Sequence, residues 1–237
     1  MRVRMPKDAR ALLRRVGRIA EEQGVRAFAV GGCVRDWLLG IPTVEDADVA
    51  VEGDGAAAAQ GVARALGGTV TMHPQFGTAT VRLLSGGAVC RIDVAMCRTE
   101  RYAQPAAYPA VTPGRLQDDL FRRDFTINAM AAALSAQRFG ELIDPYQGAA
   151  DVEARALRVL HPRSFFDDPS RLLRGVRFAV RFGLAWAPET DAAAREAVQA
   201  GALGWLNAGR VRKELERMAD EPDPAACLRA LAQRLAA

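Results

Sequence analysis

Arg26-Ala27-Phe28-Ala29-Val30-Gly31-Gly32-Cys33-Val34-Arg35-Asp36, followed ten residues later by Asp46-Ala47-Asp48-Val49-Ala50-Val51, decides how the chain folds. Arg26 to Val30 reads as a short apolar strand, and two glycines end it. Val34 to Leu39 reads as the start of a helix. A strand–Gly–Gly–helix turn brings backbone close to a ligand and aims amides outward. Arg35 falls in the first turn of that helix, where its planar fork of donors suits phosphate. On the second strand, side chains repeat every two residues, so Asp46 and Asp48 share a face. Two adjacent carboxylates repel, and a divalent cation between them relieves the repulsion. Alone, a Gly-Gly pair is a turn and an Asp-x-Asp is solvated surface; their combination at this spacing is far more specific.

Outward from this stretch, residues 8 to 23 carry Leu12, Leu13, Val16 and Ile19 at helical spacing, and Gly24 stops them. Ala56 to Leu66 predicts a helix closed by Gly67-Gly68. Thr69–Met72, Thr78–Leu84 and Ala88–Met96 predict three strands, with Ser85-Gly86-Gly87 joining the last two as a hairpin. About five strands with packed helices make an α+β sheet domain. Asp93 shares a face with Arg91 and Ala95. It either completes a metal site, helps deprotonate an attacking hydroxyl, or is an exposed sheet-face acid. Residues 97 to 117, with three prolines and Gly114, read as a long loop, and loops of this length are functional or disordered. Leu116 to Leu134 reads as one helix with Leu120, Ile127, Met130 and Leu134 as its apolar stripe.

Ala150 to Ala156 predicts a further helix, and Arg158 to Pro162 a short strand or bend. Asp167-Asp168-Pro169 opens the next helix. On that helix Leu172, Leu173, Val176, Ala179, Val180 and Gly183 fall on one arc and Arg171, Arg174, Arg177 and Arg181 on another. Asp168 lies close enough to Arg171 to pair with it. Four arginines with almost no acid partners repel, so an anion is expected over them. Pro188–Ala200, Asn207–Ala219 and Asp223–Ala236 predict three more helices.

Half of the 237 residues are hydrophobic, enough for a real core. The net charge of +4 is compatible with RNA or nucleotides. Lysine occurs only at Lys7 and Lys213 among the 32 basic residues, so the basic chemistry is that of arginine, although a GC-rich genome also produces this bias. Cys33, Cys90, Cys97 and Cys227 form no CxxC pair and no zinc spacing. His73 and His161 each precede a proline and read as structural. With no signal peptide and no membrane-length apolar run, the expectation is a cytoplasmic protein.

Four motifs in order, Gly-Gly-x-Val-Arg-Asp, Asp-x-Asp, Arg122-Arg123-Asp124-Phe125-Thr126-Ile127-Asn128-Ala129 and Asp168-Pro169-Ser170-Arg171-Leu172-Leu173-Arg174-Gly175-Val176-Arg177-Phe178-Ala179, resemble those of the class II tRNA nucleotidyltransferase and bacterial poly(A) polymerase family. The resemblance covers residues 25 to 185. It implies a nucleotidyltransferase head (1–145), a mixed sheet domain, followed by a helical neck (146–237). It implies transfer of C, A or both from CTP and ATP to the 3′ end of tRNA, with release of pyrophosphate. Asp46 and Asp48 would be the catalytic carboxylates, holding Mg²⁺, and Gly32 and Arg35 would bind phosphate. It further implies that Arg123 contacts the incoming nucleotide, that Asp168 and Arg171 select its base, and that Arg174 and Arg177 hold its triphosphate. Asp124 and Asn128 either serve there or fix their helix to the sheet. The 97–117 loop corresponds in position to a flexible loop of the family that helps the switch from C to A. One motif departs: Asp167 stands where many members have Glu, and the charge is kept. Body and tail domains that grip the tRNA elbow in the family are not in this sequence, so a truncated form, a compact variant or a partner chain is expected, with weaker tRNA selection. A poly(A) polymerase, a CC-only or A-only enzyme, and a non-catalytic RNA- or nucleotide-binding module remain the alternatives. Retention of both Asp46 and Asp48 speaks against the last.

Overall fold

The computed structural model describes residues 1–43, 46–73, 77–85 and 88–236. Helix α1 (Lys7–Glu22) leads to strand β1 (Arg26–Val30), helix α2 (Gly32–Leu38), strand β2 (Asp46–Glu52), helix α3 (Gly55–Leu66) and strands β3 (Thr69–His73), β4 (Thr78–Ser85) and β5 (Ala88–Met96). Then come β6 (Arg98–Arg101), β7 (Ala110–Pro113), α4 (Leu116–Phe121), β8 (Ala131–Ala133), β9 (Leu142–Ile143) and α5 (Gly148–Glu153). The rest is β10 (Ala156–Leu157), α6 (Ser164–Asp167), α7 (Ser170–Phe182), β11 (Ala185–Trp186), α8 (Pro188–Gln199), α9 (Ala208–Ala219) and α10 (Pro224–Leu235). The chain forms two compact units. The first comprises residues 1–99, 111–123 and 127–149, the second residues 100–110, 124–126 and 150–237.

The first unit is built on a seven-stranded sheet in the order β3-β4-β5-β2-β1-β8-β9. β2 and β5 run parallel, and the other neighbours run antiparallel. Leu12, Leu13, Val16 and Ile19 of α1 are buried, as their spacing predicts. Asp54 caps α3 by accepting from the Ala56 and Ala57 amides, and Gly67 closes it at φ 70°.

Sequence reasoning counted five strands; the sheet has seven. Of the two added strands, β9 (Leu142–Ile143) lies beyond the expected Leu116–Leu134 helix and β8 lies within it. α4 stops at Phe121, Thr126–Asn128 make one 3₁₀ turn, and Ala131–Ala133 become β8, paired with β1. Alanine favours helix, but that preference is worth under about 1 kcal/mol per residue and yields to burial. Met130 to Leu134 are all buried, and pairing with β1 satisfies their backbone groups there. Leu120, Ile127, Met130 and Leu134 are buried as expected, but from separate elements rather than one helical stripe. The 97–117 segment is not a plain loop either. β6 and β7 pair as a two-stranded ribbon, and the Gly114 amide donates to the Cys97 carbonyl at 2.9 Å. The expected turn at Gly86-Gly87 lies outside the described residues.

In the second unit α7 is the central helix. Gly175 lets it approach its neighbours: a methyl group there would meet the Trp186 ring at 2.7 Å and the Phe125 ring at 3.0 Å. Phe125, Phe165, Phe178 and Phe182 form the aromatic core around it. β10 and β11 pair in parallel. Among the described residues, no helix is long and apolar enough to cross a membrane.

Candidate active site

β2 puts Asp46 and Asp48 on one face, while Ala47 and Val49 between and after them are buried. The parallel register sets Asp48 beside Asp93 of β5 and Asp46 beside Arg91. Three carboxylates thus share one face of two adjacent strands. Asp93 is compensated: Arg91 grips both its oxygens at 3.1 and 2.6 Å, and the Thr80 hydroxyl donates to it at 2.7 Å. His73 Nε2 lies 3.2 Å from that hydroxyl. Among the described residues, Asp46 and Asp48 have no such side-chain partner. Burial, with the charges of Asp93 and Asp46, pushes the Asp48 carboxyl above its usual value, although Arg123 pulls it down. Asp48 nonetheless reaches solvent.

This donor set suits a hard divalent cation, which one or two carboxylates bind while substrate phosphates and water complete the sphere. Among the described residues, no group of three or more His, Cys, Asp and Glu is arranged to hold a metal by protein ligands alone. The fit therefore rests on the undercompensated charge of the Asp46–Asp48 pair.

The glycine turn follows β1 as read from the sequence. Gly31 has φ 72° and precedes α2, and its amide donates to the Met130 carbonyl at 3.1 Å. A side chain at Gly31 would collide with the Arg123 guanidinium. Arg35 is buried beside Gly32. It donates twice to Asp36 Oδ1, at 2.9 and 2.7 Å, and to Asn128 Oδ1 at 2.5 Å. These bonds tie the turn to the 3₁₀ segment, so Asn128 anchors the site. Arg123 donates to Asp119 at 2.9 Å, with Arg122 on the other Asp119 oxygen at 2.7 Å. Burial raises the Asp119 carboxyl, but Arg123 and Arg122 outweigh it and hold it below the usual range. Asp119 was missed in the sequence, although its i,i+3 and i,i+4 spacing to the two arginines was the signal.

In the second unit, the expected arginine face without acid partners is corrected. Arg174 donates twice to Asp124 Oδ2, at 2.9 and 2.6 Å, and lies 3.9 Å from Glu214. Arg177 pairs with Glu221 at 2.8 Å, and Arg181 approaches the same oxygen at 3.3 Å. Arg171 and Arg177 are buried, so α7 has no solvated face over its first two turns. The acids come from distant positions, and the helix alone does not reveal them. Asp168 accepts from the Ser170 amide at 2.9 Å and from Arg210 at 2.5 Å, while Arg171 donates to the Ser164 hydroxyl at 2.8 Å. Asp168 is therefore both a helix-start acceptor and the partner of Arg210, a residue that sequence reasoning did not single out. Tyr102 donates to Glu100 at 3.1 Å, and burial pushes its hydroxyl up to about 12, keeping it protonated. All four cysteines are buried free thiols.

Residues 27–158 match the family model described as the poly A polymerase head domain. The chain is 40% identical over 222 residues to an A-adding tRNA nucleotidyltransferase of Halalkalibacterium halodurans, covering 93% of this chain and 51% of that protein. It is 40% identical over 202 residues to a CC-adding tRNA nucleotidyltransferase of Deinococcus radiodurans, covering 85% and 52%. The chain thus spans about half the length of these relatives. Among solved structures, a CCA-adding enzyme in an apo form superposes with TM-score 0.90 at 39% identity, over 98% of this chain and 54% of that one. A tRNA nucleotidyltransferase complexed with a primer tRNA and an incoming ATP analog superposes with TM-score 0.80 at 38% identity, over 92% and 60%.

Proposed function

The chain belongs to the poly(A) polymerase head-domain family of class II tRNA nucleotidyltransferases, and we propose that it transfers C, A or both from CTP and ATP to the 3′ end of tRNA. The observation that carries this reading is the pair Asp46 and Asp48, two like charges on one strand face without side-chain partners among the described residues. A fold that needed them only for solubility would gain nothing from placing Asp48 beside Asp93.

The 3′-hydroxyl oxygen of the RNA bonds to the α-phosphorus, its proton passes to solvent water, and the bond from the α-phosphorus to the bridging oxygen breaks so that pyrophosphate leaves. Asp46 and Asp48 would hold Mg²⁺, which when bound supplies charge neutralisation at the phosphates and lowers the pKa of an oxygen it touches. Because such transfer is mostly positioning and electrostatics, the remaining residues orient and hold. Gly32 lets the backbone approach phosphate. The Arg35 donors are held by Asp36 and Asn128, so Arg35 supports phosphate binding by fixing this turn. Arg123 supplies positive charge near Asp48 and the nucleotide.

In the second unit, Asp168 and Arg171 offer an acceptor and a donor to a base edge. Arg174 and Arg177 contribute positive charge for the triphosphate, moderated by their acid partners. Relatives named A-adding, CC-adding and multifunctional CCA all lie close in sequence, so the choice among C, A and both follows from assay. We place this work in the cytoplasm, where tRNA and nucleotides occur together.

The test is incubation with labelled CTP or ATP, Mg²⁺ and tRNA lacking its 3′ end. Products one to three nucleotides longer support the reading and identify the bases added. A long adenosine ladder points instead to poly(A) synthesis. RNA binding without any extension makes the chain a binding module.

A further inference from the structure

The second unit exposes an aromatic and basic patch that the proposed chemistry leaves unused. Tyr108 is 73% exposed and Trp205 44% exposed. Contacts described in the structure join them. The Arg210 guanidinium lies 5.6 Å from the centre of the Tyr108 ring. Its Nη1 donates to the Ala106 carbonyl at 2.8 Å. Ala106, held at φ 59°, donates its amide to the Phe166 carbonyl at 3.3 Å. Phe166 in turn packs on Trp205, with ring centres 6.0 Å apart. A non-glycine residue at positive φ is strained, and here the Arg210 and Phe166 bonds hold it.

Two large rings are thus presented to solvent by a backbone fixed in advance. Water gains nothing from such surface, and rings fixed before binding lose little entropy on stacking. The charge around them narrows the occupant. Arg163 is exposed one turn before Phe166, and Lys213 is exposed one turn after Arg210. Exposed rings with cations one helical turn from the residues that hold them match unpaired nucleotides, which offer flat faces for stacking and phosphates between them. A second copy of this chain would bring like charge to the patch.

We propose that Tyr108 and Trp205, held by Arg210 and Phe166, form a stacking platform for unpaired nucleotides of the RNA acceptor. This rests on the reading of the chain as an RNA nucleotidyltransferase. Base stacking tolerates all four bases, so the platform would hold the acceptor end without selecting its sequence.

The experiment uses the full chain, a labelled single-stranded RNA of about eight nucleotides followed by fluorescence anisotropy, and steady-state extension assays. Tyr108→Ala and Trp205→Ala are each expected to weaken RNA binding and raise KM for RNA about tenfold. KM for the nucleoside triphosphate and the Tm stay unchanged. Tyr108→Phe and Trp205→Phe restore RNA binding, because the stacking face is kept. Unchanged RNA affinity in the double alanine variant overturns the proposal, as does an equal rise in both KM values. Self-association of the wild type that the alanine variants abolish also overturns it, making the face an interface between copies. If the wild type extends no RNA but its RNA binding still depends on Tyr108 and Trp205, the transferase reading fails and the platform stands.

Discussion

The sheet face around β2 and the first turns of α7 both gather like charges, and they treat them in opposite ways. On β2 and β5, Asp93 is neutralised by Arg91, while Asp46 and Asp48 have no ion-pair partner among the described residues. On α7, Arg174 and Arg177 each meet an acid, Asp124 and Glu221. A buried ion pair with its partner present belongs to the architecture, because removing one member strands the other. A cluster left without partners costs the apo fold something, and a ligand is what repays it. The comparison separates arginines whose charge is balanced within the fold, whether or not they also meet a nucleotide, from carboxylates whose charge is not.

The sharpest way to break this comparison is at the carboxylates. Asp46→Ala or Asp48→Ala is expected to lower nucleotide addition by more than about 100-fold, beyond what losing an outer partner of a metal ligand costs. The fold stays intact by circular dichroism. Turnover near wild type in either variant would remove these residues from the chemistry.

Next in size is the buried pair of the second unit. Arg177→Ala leaves buried Glu221 with only the half-exposed Arg181, at 3.3 Å, and is expected to cost about 3 kcal/mol, the low end for breaking a buried pair. For a chain of this size that lowers Tm by about 10 °C. The double variant Arg177→Met, Glu221→Leu recovers most of the loss. If Arg177→Ala melts like wild type but binds nucleotide poorly, Arg177 belongs with the ligand-awaiting group.

A smaller effect distinguishes two roles on α7 itself. Asp168→Ala is expected to reduce discrimination against UTP and GTP by about 1–3 kcal/mol in kcat/KM. Arg174→Ala weakens all four nucleotides about equally. Parallel losses in the Asp168 variant would show that its bonds to the Ser170 amide and Arg210 are its whole purpose.

The smallest effect concerns Asp48 in the free protein. Its folded pKa lies above the usual 3.8, so the protonated form is favoured in the fold. That stability is complete below the unfolded pKa and is lost as pH rises through the folded value. Asp48→Asn is therefore expected to raise Tm slightly at pH 7.5, and the gain should fade toward pH 4. Solvent screening keeps the gain small, since Asp48 reaches water. A lower Tm at pH 7.5 would mean that Arg123 already neutralises the site.

Much of this contrast was legible in sequence on the sheet and little on α7. Alternation on β2 gives the shared face of Asp46 and Asp48 directly, because period two is a local property. Asp93 appears on the same argument, and only the parallel register of β2 and β5 fixes it beside Asp48. On α7 the local pattern shows four arginines, whereas their acids stand at Asp124, Glu214 and Glu221. Spacing along one helix carries no signal for partners that far away, so the expected anion was an inference from missing neighbours. β8 failed differently: Ala131 to Ala133 favour helix by intrinsic preference, and the slot beside β1 overrode it.

The position of β8 also bears on how the chain is made. β1 pairs with β2 soon after it is made, Ala29 with Val49 and Arg26 with Glu52, but its other edge stays open until β8 has been synthesised, roughly 100 residues later. At about 5–20 residues per second, that is on the order of 5–20 s on the ribosome. During that interval the apolar edge of Phe28, Ala29 and Val30 is a template for any extended chain nearby. The nascent protein therefore has a window of aggregation risk that closes when three alanines emerge.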